Sequence, residues 1–520
     1  MRNLSRSGLL LLSGLIAMAN VSICRAKVVS VVNFGAVKDG KTECSEGIQK
    51  AIDSCYDSGG GTVYFPTGDY LSGTIFLKDN IILKLEAGAT IWGSRKIEDY
   101  EDIKVCYSDA KPHFLFYGNE VTNVTIEGQG TINGNGDAYW ATNLKPRRPK
   151  TIHMRKSNNI TIKDITIKDS ACYNIWLLGC DNVNIEGISI INPHHSPNTD
   201  GIDIDCCSNV RISNCYIDTG DDAIALKSDS YRLCKDKACE KITVTNCNLR
   251  TSCCAIRIAY EGDSPIRDCT FSNLTIFDTD TGIDIISILP TKNSFGVKIN
   301  EGAKIERLNF SDIVMDKVNY PIYMWLGKAR QGEHKGFIKN ISINNVTAYG
   351  RNASYIGGMS DKKIENISLN NISLILYGKQ WLKKPDATSW RPGWSGWTPI
   401  PHAVYAHDVD GLIMNSINVK WDASAAGAWR SAVACQNVTG LEVVGFRGKN
   451  FDEKYPAIEL TDVSNAYIHN CNPQKGCGTF VSVKGENNEK IVIDDNNVIN
   501  AKEKIKLSSE VNKDVLVDDD

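Results

Sequence analysis

Six copies of one short signature, Asn-(Ile or Val)-x-(Ile, Val or Leu), constrain this 520-residue chain more than any other feature. They read NVTI from Asn123, NITI from Asn159, NVNI from Asn182, NVRI from Asn209, NISI from Asn340 and NISL from Asn366, with a degenerate KITV from Lys241. Between Asn159 and Lys241 successive copies lie 23, 27 and 32 residues apart, and Asn340 and Asn366 lie 26 apart. Such spacing is too short for independent domains and suits the coils of a stack. Ile or Val alternating with Thr, Asn, Arg or Ser gives each coil a strand with one buried face, and the intervening Asn and Gly supply its turns. The pattern predicts an all-β fold, a single-stranded right-handed parallel β-helix. Only SEGIQKAIDSCYDSG, starting at Ser45, has the apolar period of a helix, placed to cap the open N-terminal end.

Residues 1–26 read as a secretory signal: Arg2 and Arg6 precede an apolar run, and Ala26 offers a small residue for cleavage. Cys24 as a lipoprotein cysteine is the weaker alternative, because Ile23 before it is bulky. The expected location is therefore secreted or periplasmic, with residues 27–520 forming the β-helix domain. No later stretch is long and apolar enough to span a membrane. Net charge is −3, and the short basic run KPRRPK at 145–150 is too small to suggest nucleic acid. The expected partner is a small molecule or glycan, bound by a monomer. Eighteen cysteines include no pair of CxxC units, so zinc is not expected. Cys215, Cys247 and Cys269 each follow Asn or Asp in similar contexts and read as a stacked ladder of small apolar groups. Cys234 with Cys239, Cys471 with Cys477, and Cys44 with Cys55 are candidate loop disulfides.

Residues 196–228 crowd six aspartates among strand-forming residues: Asp200, Asp203, Asp205, Asp218, Asp221 and Asp222. Asp200 stands 21 and 22 residues before Asp221 and Asp222, about one coil, so the three should converge where coils stack about 4.8 Å apart. With Ile202 and Ile204 inward, Asp203 and Asp205 point outward and should line the surface. Asp218 reads as an ordinary turn residue. Three converging like charges raise carboxyl pKa values unless a proton or cation is shared, and a raised carboxyl is what acid-catalysed cleavage of a glycosidic bond requires. A calcium site of the lyase type is the competing explanation.

NTDGIDI at 198–204 and GDDAIALKS at 220–228 resemble the two best-known signatures of glycoside hydrolase family 28, the polygalacturonase-like pectin hydrolases. The likeness extends through VVNFGAVKDGKTECSEGIQKAID, GGGTVYFPTGDYLSGTIFLKDNIILKLEAGATIWGS and GTINGNGDAYW, and weakly through the coils after Ile305. It implies a pectin-lyase-like solenoid and inverting hydrolysis without metal or other cofactor. Carried over by motif, Asp221 would be the general acid, while Asp200 and Asp222 would hold and deprotonate the attacking water, with about 6.5–9.5 Å between acid and base. Asn198 and Asp203 fall within the first motif and are expected at the substrate. Lys227 would face the cleft and pair with an acid or a substrate carboxylate, unless it is simply solvated.

The departures bear on substrate. Where the family has Gly-His-Gly, this chain reads SCCAIRIAY, placing Cys254 at the histidine position, and the aligned Arg-Ile-Lys site reads Asp284-Ile285-Ile286. A galacturonate carboxylate would thereby lose its bidentate basic partner. Arg257, outward between Ile256 and Ile258, is a substitute substrate contact or a structural arginine. Trp381, Trp390, Trp394 and Trp397 mark a turn-rich insertion around 380–400 that could stack on sugar or pack on itself. Together these features predict a hydrolase of pectic polysaccharide or oligosaccharide, exo-acting or specific for a branched or rhamnose-containing region. The alternatives are a calcium-dependent pectate-lyase-like β-eliminase and a noncatalytic glycan-binding β-helix.

Overall fold

The structure is a computed structural model and describes residues 27–106, 111–142, 147–290, 298–380 and 400–517. The leader, Cys24 and the four tryptophans of the insertion lie outside the described residues. The chain winds as a right-handed β-helix whose strands join one continuous sheet, and every ladder between the strands is parallel.

The repeated signature has a conformational cause. Asn123, Asn159, Asn182, Asn209, Asn340 and Asn366 take φ values of 54–59°, and Lys241 takes 58°. This left-handed region is costly for most L-residues and least so for Asn among the non-glycines. Each copy therefore turns a coil corner before its strand begins. The corner amides also bond along the axis: Asn159 Nδ2 donates to Asn123 Oδ1 at 2.7 Å, and Asn366 Nδ2 to Asn340 Oδ1 at 3.1 Å. A second left-handed row runs through Asn214, Asn246, Asn273, Asn345 and Asn371.

Between corners the apolar positions fall into register. Ile160 lies opposite Val124 and Val183, Val183 opposite Val210, and Val210 opposite Ile242. All are buried, and full burial of such a side chain contributes about 1.5–3 kcal/mol. The helix Ser45–Tyr56 buries Ile48, Ala51, Ile52 and Cys55 on the first coils. Its Gly47 is required by close approach, since a Cβ there would stand 2.7 Å from the Ala36 nitrogen.

The cysteine expectations need correction. Cys106 and Cys234 form a disulfide across 128 residues, whereas Cys44, Cys55, Cys239, Cys471 and Cys477 are buried free thiols. Adjacent loop cysteines were the wrong guide because stacking joins segments remote in sequence. Cys215, Cys247 and Cys269 are all buried and free, but they do not form one ladder. Cys247 lies one coil on from Cys215, as Tyr216 pairs with Asn248, and opposite Leu274 on the next coil. Cys269 lies opposite Leu308, in a different row.

Candidate active site

The acids are brought together by register. The strand Ile202–Asp205 pairs with Ile224–Ser228, placing Ile202 opposite Ile224 and Ile204 opposite Leu226. Just before each strand begins, Gly201 N donates to Asp222 O at 2.8 Å, so the two motifs meet at the same corner of adjacent coils. One carboxylate oxygen from each of Asp200, Asp221 and Asp222 lies within 4.8 Å of the others. Asp200 and Asp222 are buried and Asp221 is half-buried.

Each acid is held differently. Asn198, with φ 55°, donates from Nδ2 to Asp221 Oδ2 at 3.4 Å and accepts at Oδ1 from Arg148 Nη2 at 2.7 Å. Arg148 also donates to the Ala171 and Pro197 carbonyls, and Asn174 Nδ2 donates to Asp200 O at 2.9 Å. Sequence reasoning missed both residues. Arg148 sits within KPRRPK, where the sequence displays only a positive charge, and it stands 50 residues before Asn198.

Lys227 is buried, with Nζ 2.9 Å from Asp203, 3.2 Å from Asp200 and 3.7 Å from Glu261. It lies over the Tyr173 ring at 4.6 Å. Its charge is thus committed to protein carboxylates. Arg257 is likewise buried, with Nη2 3.2 Å from Asp222 Oδ1 and Nε 3.2 Å from Asp284 Oδ2. Asp284 lies opposite Arg257 in register and closes on the arginine instead of facing the groove. Cys254 is buried, with Sγ 3.2 Å from Asp284 and its backbone N donating to Asp222 at 3.3 Å. Arg257, Lys227 and Cys254, expected as substrate contacts, therefore lie behind the acids.

Asp203 and Asp205 also depart from expectation. They point away from the coil interior but are fully buried, Asp203 against Lys227 and Asp205 accepting from Asp229 N at 2.7 Å. Period-two parity distinguishes inside from outside of the coil, but not open groove from surface covered by neighbouring side chains. Asp218 is tied to His194 at 2.8 Å and Arg250 at 2.9 Å, in keeping with its structural reading.

These surroundings separate the carboxyls. Burial, then the Asp222 charge, push Asp221 above its ordinary value. Burial followed by the Asp203 charge push Asp200 well above it. For Asp222 burial acts in the same sense, yet the charges of Arg257 and Lys227 and hydrogen bonds from Cys253 and Arg257 outweigh it and hold the carboxyl low. The site therefore contains one stabilised carboxylate beside two carboxyls that favour keeping a proton, the division of labour that acid–base catalysis needs.

The outward row continues from Asp203 and Ala225 through Arg257 and Asp284 to Tyr323, Tyr355 and Tyr405. At Tyr405 it borders a cavity of about 210 Å³ lined by His402, Gln436 and Glu459 among others. Five coils separate that cavity from the acids, roughly 24 Å at the strand spacing.

The three aspartates converge at one corner of a parallel β-helix, a class of solenoid fold. Within that class, the family model "Glycosyl hydrolases family 28" matches residues 55–389, and the chain belongs to this family. It is a glycosidase. A probable polygalacturonase of Vitis vinifera is 28% identical over 407 residues, covering 73% of this chain and 80% of the relative. An exopolygalacturonase of Arabidopsis thaliana is 23% identical, covering 68% and 80%. Among solved structures, the family 28 exopolygalacturonase of Yersinia enterocolitica superposes with a TM-score of 0.60 at 22% identity, covering 80% of this chain and 78% of that one. The exopolygalacturonase of Thermotoga maritima gives 0.58 at 22% identity, covering 68% and 88%. These structural likenesses establish the shared fold.

Proposed function

We propose that this chain hydrolyses a glycosidic bond in pectic polysaccharide or oligosaccharide, with Asp221 as general acid and Asp222 as the carboxylate that accepts a proton from the attacking water. The single observation that carries this reading is the opposed electrostatics of neighbouring aspartates, Asp221 held high and Asp222 held low beside Arg257. Asp200, itself favouring the protonated form, orients the water instead of sharing the base role. Asn198 positions Asp221, and Lys227 positions Asp200. In each turnover Asp221 delivers its proton to the leaving oxygen, the water adds at the anomeric carbon, and Asp222 takes the water's proton.

The charges around the acids favour a substrate with a neutral sugar on the leaving side. Lys227 and Arg257 are both paired with protein carboxylates, and Asp284 occupies the motif position where a basic side chain was expected. A galacturonate there would meet net negative charge. The preferred substrates are therefore rhamnogalacturonan or short, branched-region oligosaccharides, approached from a chain end. The exopolygalacturonase relatives are consistent with end-directed action. The enzyme is proposed to act as an exported monomer.

The stereochemical outcome separates two readings. An inverting pair of carboxyl groups stands about 6.5–9.5 Å apart and a retaining pair about 5–5.5 Å. Proton NMR of the first-formed sugar decides between them: inverted anomeric configuration supports direct attack by water, and retained configuration establishes a covalent glycosyl–aspartate intermediate. Unsaturated product ends would contradict hydrolysis altogether.

A further inference from the structure

The outward row that passes the acids carries a second concavity far from them, and one small residue creates it. In that row Tyr405 lies opposite Ala434, and Ala434 opposite Glu459. The methyl of Ala434 fills little of the space between its two larger neighbours. Two positions along, Gln436 lies opposite Thr461 and adds a polar wall. His402 lines a further side, and the cavity of about 210 Å³ opens to solvent at the exposed Gln436. A cavity of roughly 150 Å³ admits a benzene ring. The space here therefore accommodates one six-membered sugar ring with its hydroxyls, and no more of a chain.

The lining has the chemistry of a saccharide site, an aromatic face with a few polar groups. Tyr405 packs against the Tyr355 ring at 6.1 Å and the His407 ring at 5.4 Å, which fixes its orientation. Its hydroxyl donates to Gln436 Oε1 at 2.8 Å, leaving the Gln436 amide nitrogen as a donor for a ligand. Glu459 Oε2 accepts from Lys484 Nζ at 2.8 Å, leaving Oε1 to accept from a sugar hydroxyl. Burial pushes His402 down to about 4, so at neutral pH its ring is an uncharged donor and acceptor. His402 Nδ1 is buried with no hydrogen-bond partner among the described residues, the kind of orphan that calls for a missing partner. Among the described lining residues Glu459 alone is charged, and a galacturonate carboxylate would meet that charge.

We infer that this cavity binds one neutral pyranose of the rhamnose or galactose class, and that its occupancy anchors a branched pectic substrate whose scissile bond lies at the acids, roughly 24 Å along the axis. The binding claim stands on the cavity alone; the anchoring claim rests on the pectic hydrolysis proposed above. A branch held in the cavity raises the effective concentration of its backbone at the acids. Such binding is equal in ground and transition states, so it lowers KM and leaves kcat alone.

The test follows binding of methyl rhamnoside, methyl galactoside and methyl galacturonide to the full-length protein by saturation-transfer NMR. Ala434→Leu fills the cavity, and Gln436→Ala removes one donor. A neutral glycoside should bind more tightly than the galacturonide, Ala434→Leu should abolish that binding, and Gln436→Ala should weaken it roughly 2–10-fold, the worth of one hydrogen bond. Both variants should raise KM for a branched pectic oligosaccharide long enough to span the roughly 24 Å, with kcat unchanged, and alter neither constant for a disaccharide. Absence of neutral-glycoside binding, or wild-type binding by Gln436→Ala, overturns the site. Because Gln436 is exposed, this variant decides the matter even if Ala434→Leu fails to fold. Tighter binding of the galacturonide overturns the ligand class. Binding at the cavity with an unchanged KM in the variants overturns the anchoring and leaves the site. No hydrolysis of any pectic substrate, with glycoside binding intact, overturns the proposed function and the anchoring while the site stands.

Discussion

Replacing Arg257 by Gln removes the cation shared by two buried carboxylates, Asp222 and Asp284, each 3.2 Å from the guanidinium. Breaking a buried pair by deleting one partner typically costs about 3–5 kcal/mol, because the remaining charge is left uncompensated. Two effects should follow, and they have different pH signatures. In the wild type Asp222 titrates below its ordinary value of 3.8, so it contributes stability that is present above that value and lost as pH falls through the lower, folded-state value. Without Arg257, burial dominates and the sign reverses: Asp222 titrates above 3.8, and destabilisation grows as pH rises past that point. The loss measured by urea unfolding should therefore be largest near neutrality and shrink in acid. In the rate profile, the acid limb of kcat/KM belongs to ionisation of Asp222, and loss of an adjacent arginine should move it upward by roughly 1–3 pH units. Adding Asp284→Asn to Arg257→Gln should recover part of the stability while leaving the shifted limb in place. A variant with an unmoved acid limb, unchanged stability and a raised KM alone would refute this reasoning and make Arg257 a substrate contact.

Asp221→Asn should abolish turnover of substrates with poor leaving groups while preserving the unfolding midpoint, since an amide cannot supply the proton; turnover within a few-fold of wild type would remove Asp221 from the acid role. Lys227→Met leaves Asp200 and Asp203 buried without their cation and should cost about 3–5 kcal/mol in urea unfolding, with little loss arguing against the pairing. Cys215→Ala and Cys247→Ala should each cost roughly 1–2 kcal/mol as buried groups, and reducing agent should not reproduce the effect. Wild-type enzyme should release few reducing ends from unbranched polygalacturonan and more from rhamnogalacturonan oligosaccharides; rapid random depolymerisation of the former would contradict a neutral leaving-side sugar.

Much of the fold was legible because a β-helix writes its geometry into the chain as a period. The signature Asn marks a left-handed corner, and its recurrence gives the coil length directly. The convergence of Asp200 with Asp221 and Asp222 was readable for the same reason, as 22 residues separate Ile202 from its partner Ile224. What parity could not supply was cover. Asp203, Lys227 and Arg257 all point away from the coil interior, yet each is buried, because ion pairs between coils and adjoining loops close over them. The pairing of Arg257 with Asp284 depends on the register of the next coil, whose first corner is turned by Asp268 and not by the signature Asn. Arg148 reaches the site across 50 residues, and the disulfide joins Cys106 to Cys234 across 128; neither partner carries a local mark of the other.

Hydrolysis of a pectic glycosidic bond by the opposed pair Asp221 and Asp222 leaves a definite product signature. The most direct measurement is product analysis, by mass and proton NMR, of wild type and Asp221→Asn on a panel of defined pectic oligosaccharides. The wild type should give saturated products gaining one water per cleavage, best from oligosaccharides with a neutral leaving-side sugar, and Asp221→Asn should give none. Products with an unsaturated end, or equal cleavage by the variant, would contradict it.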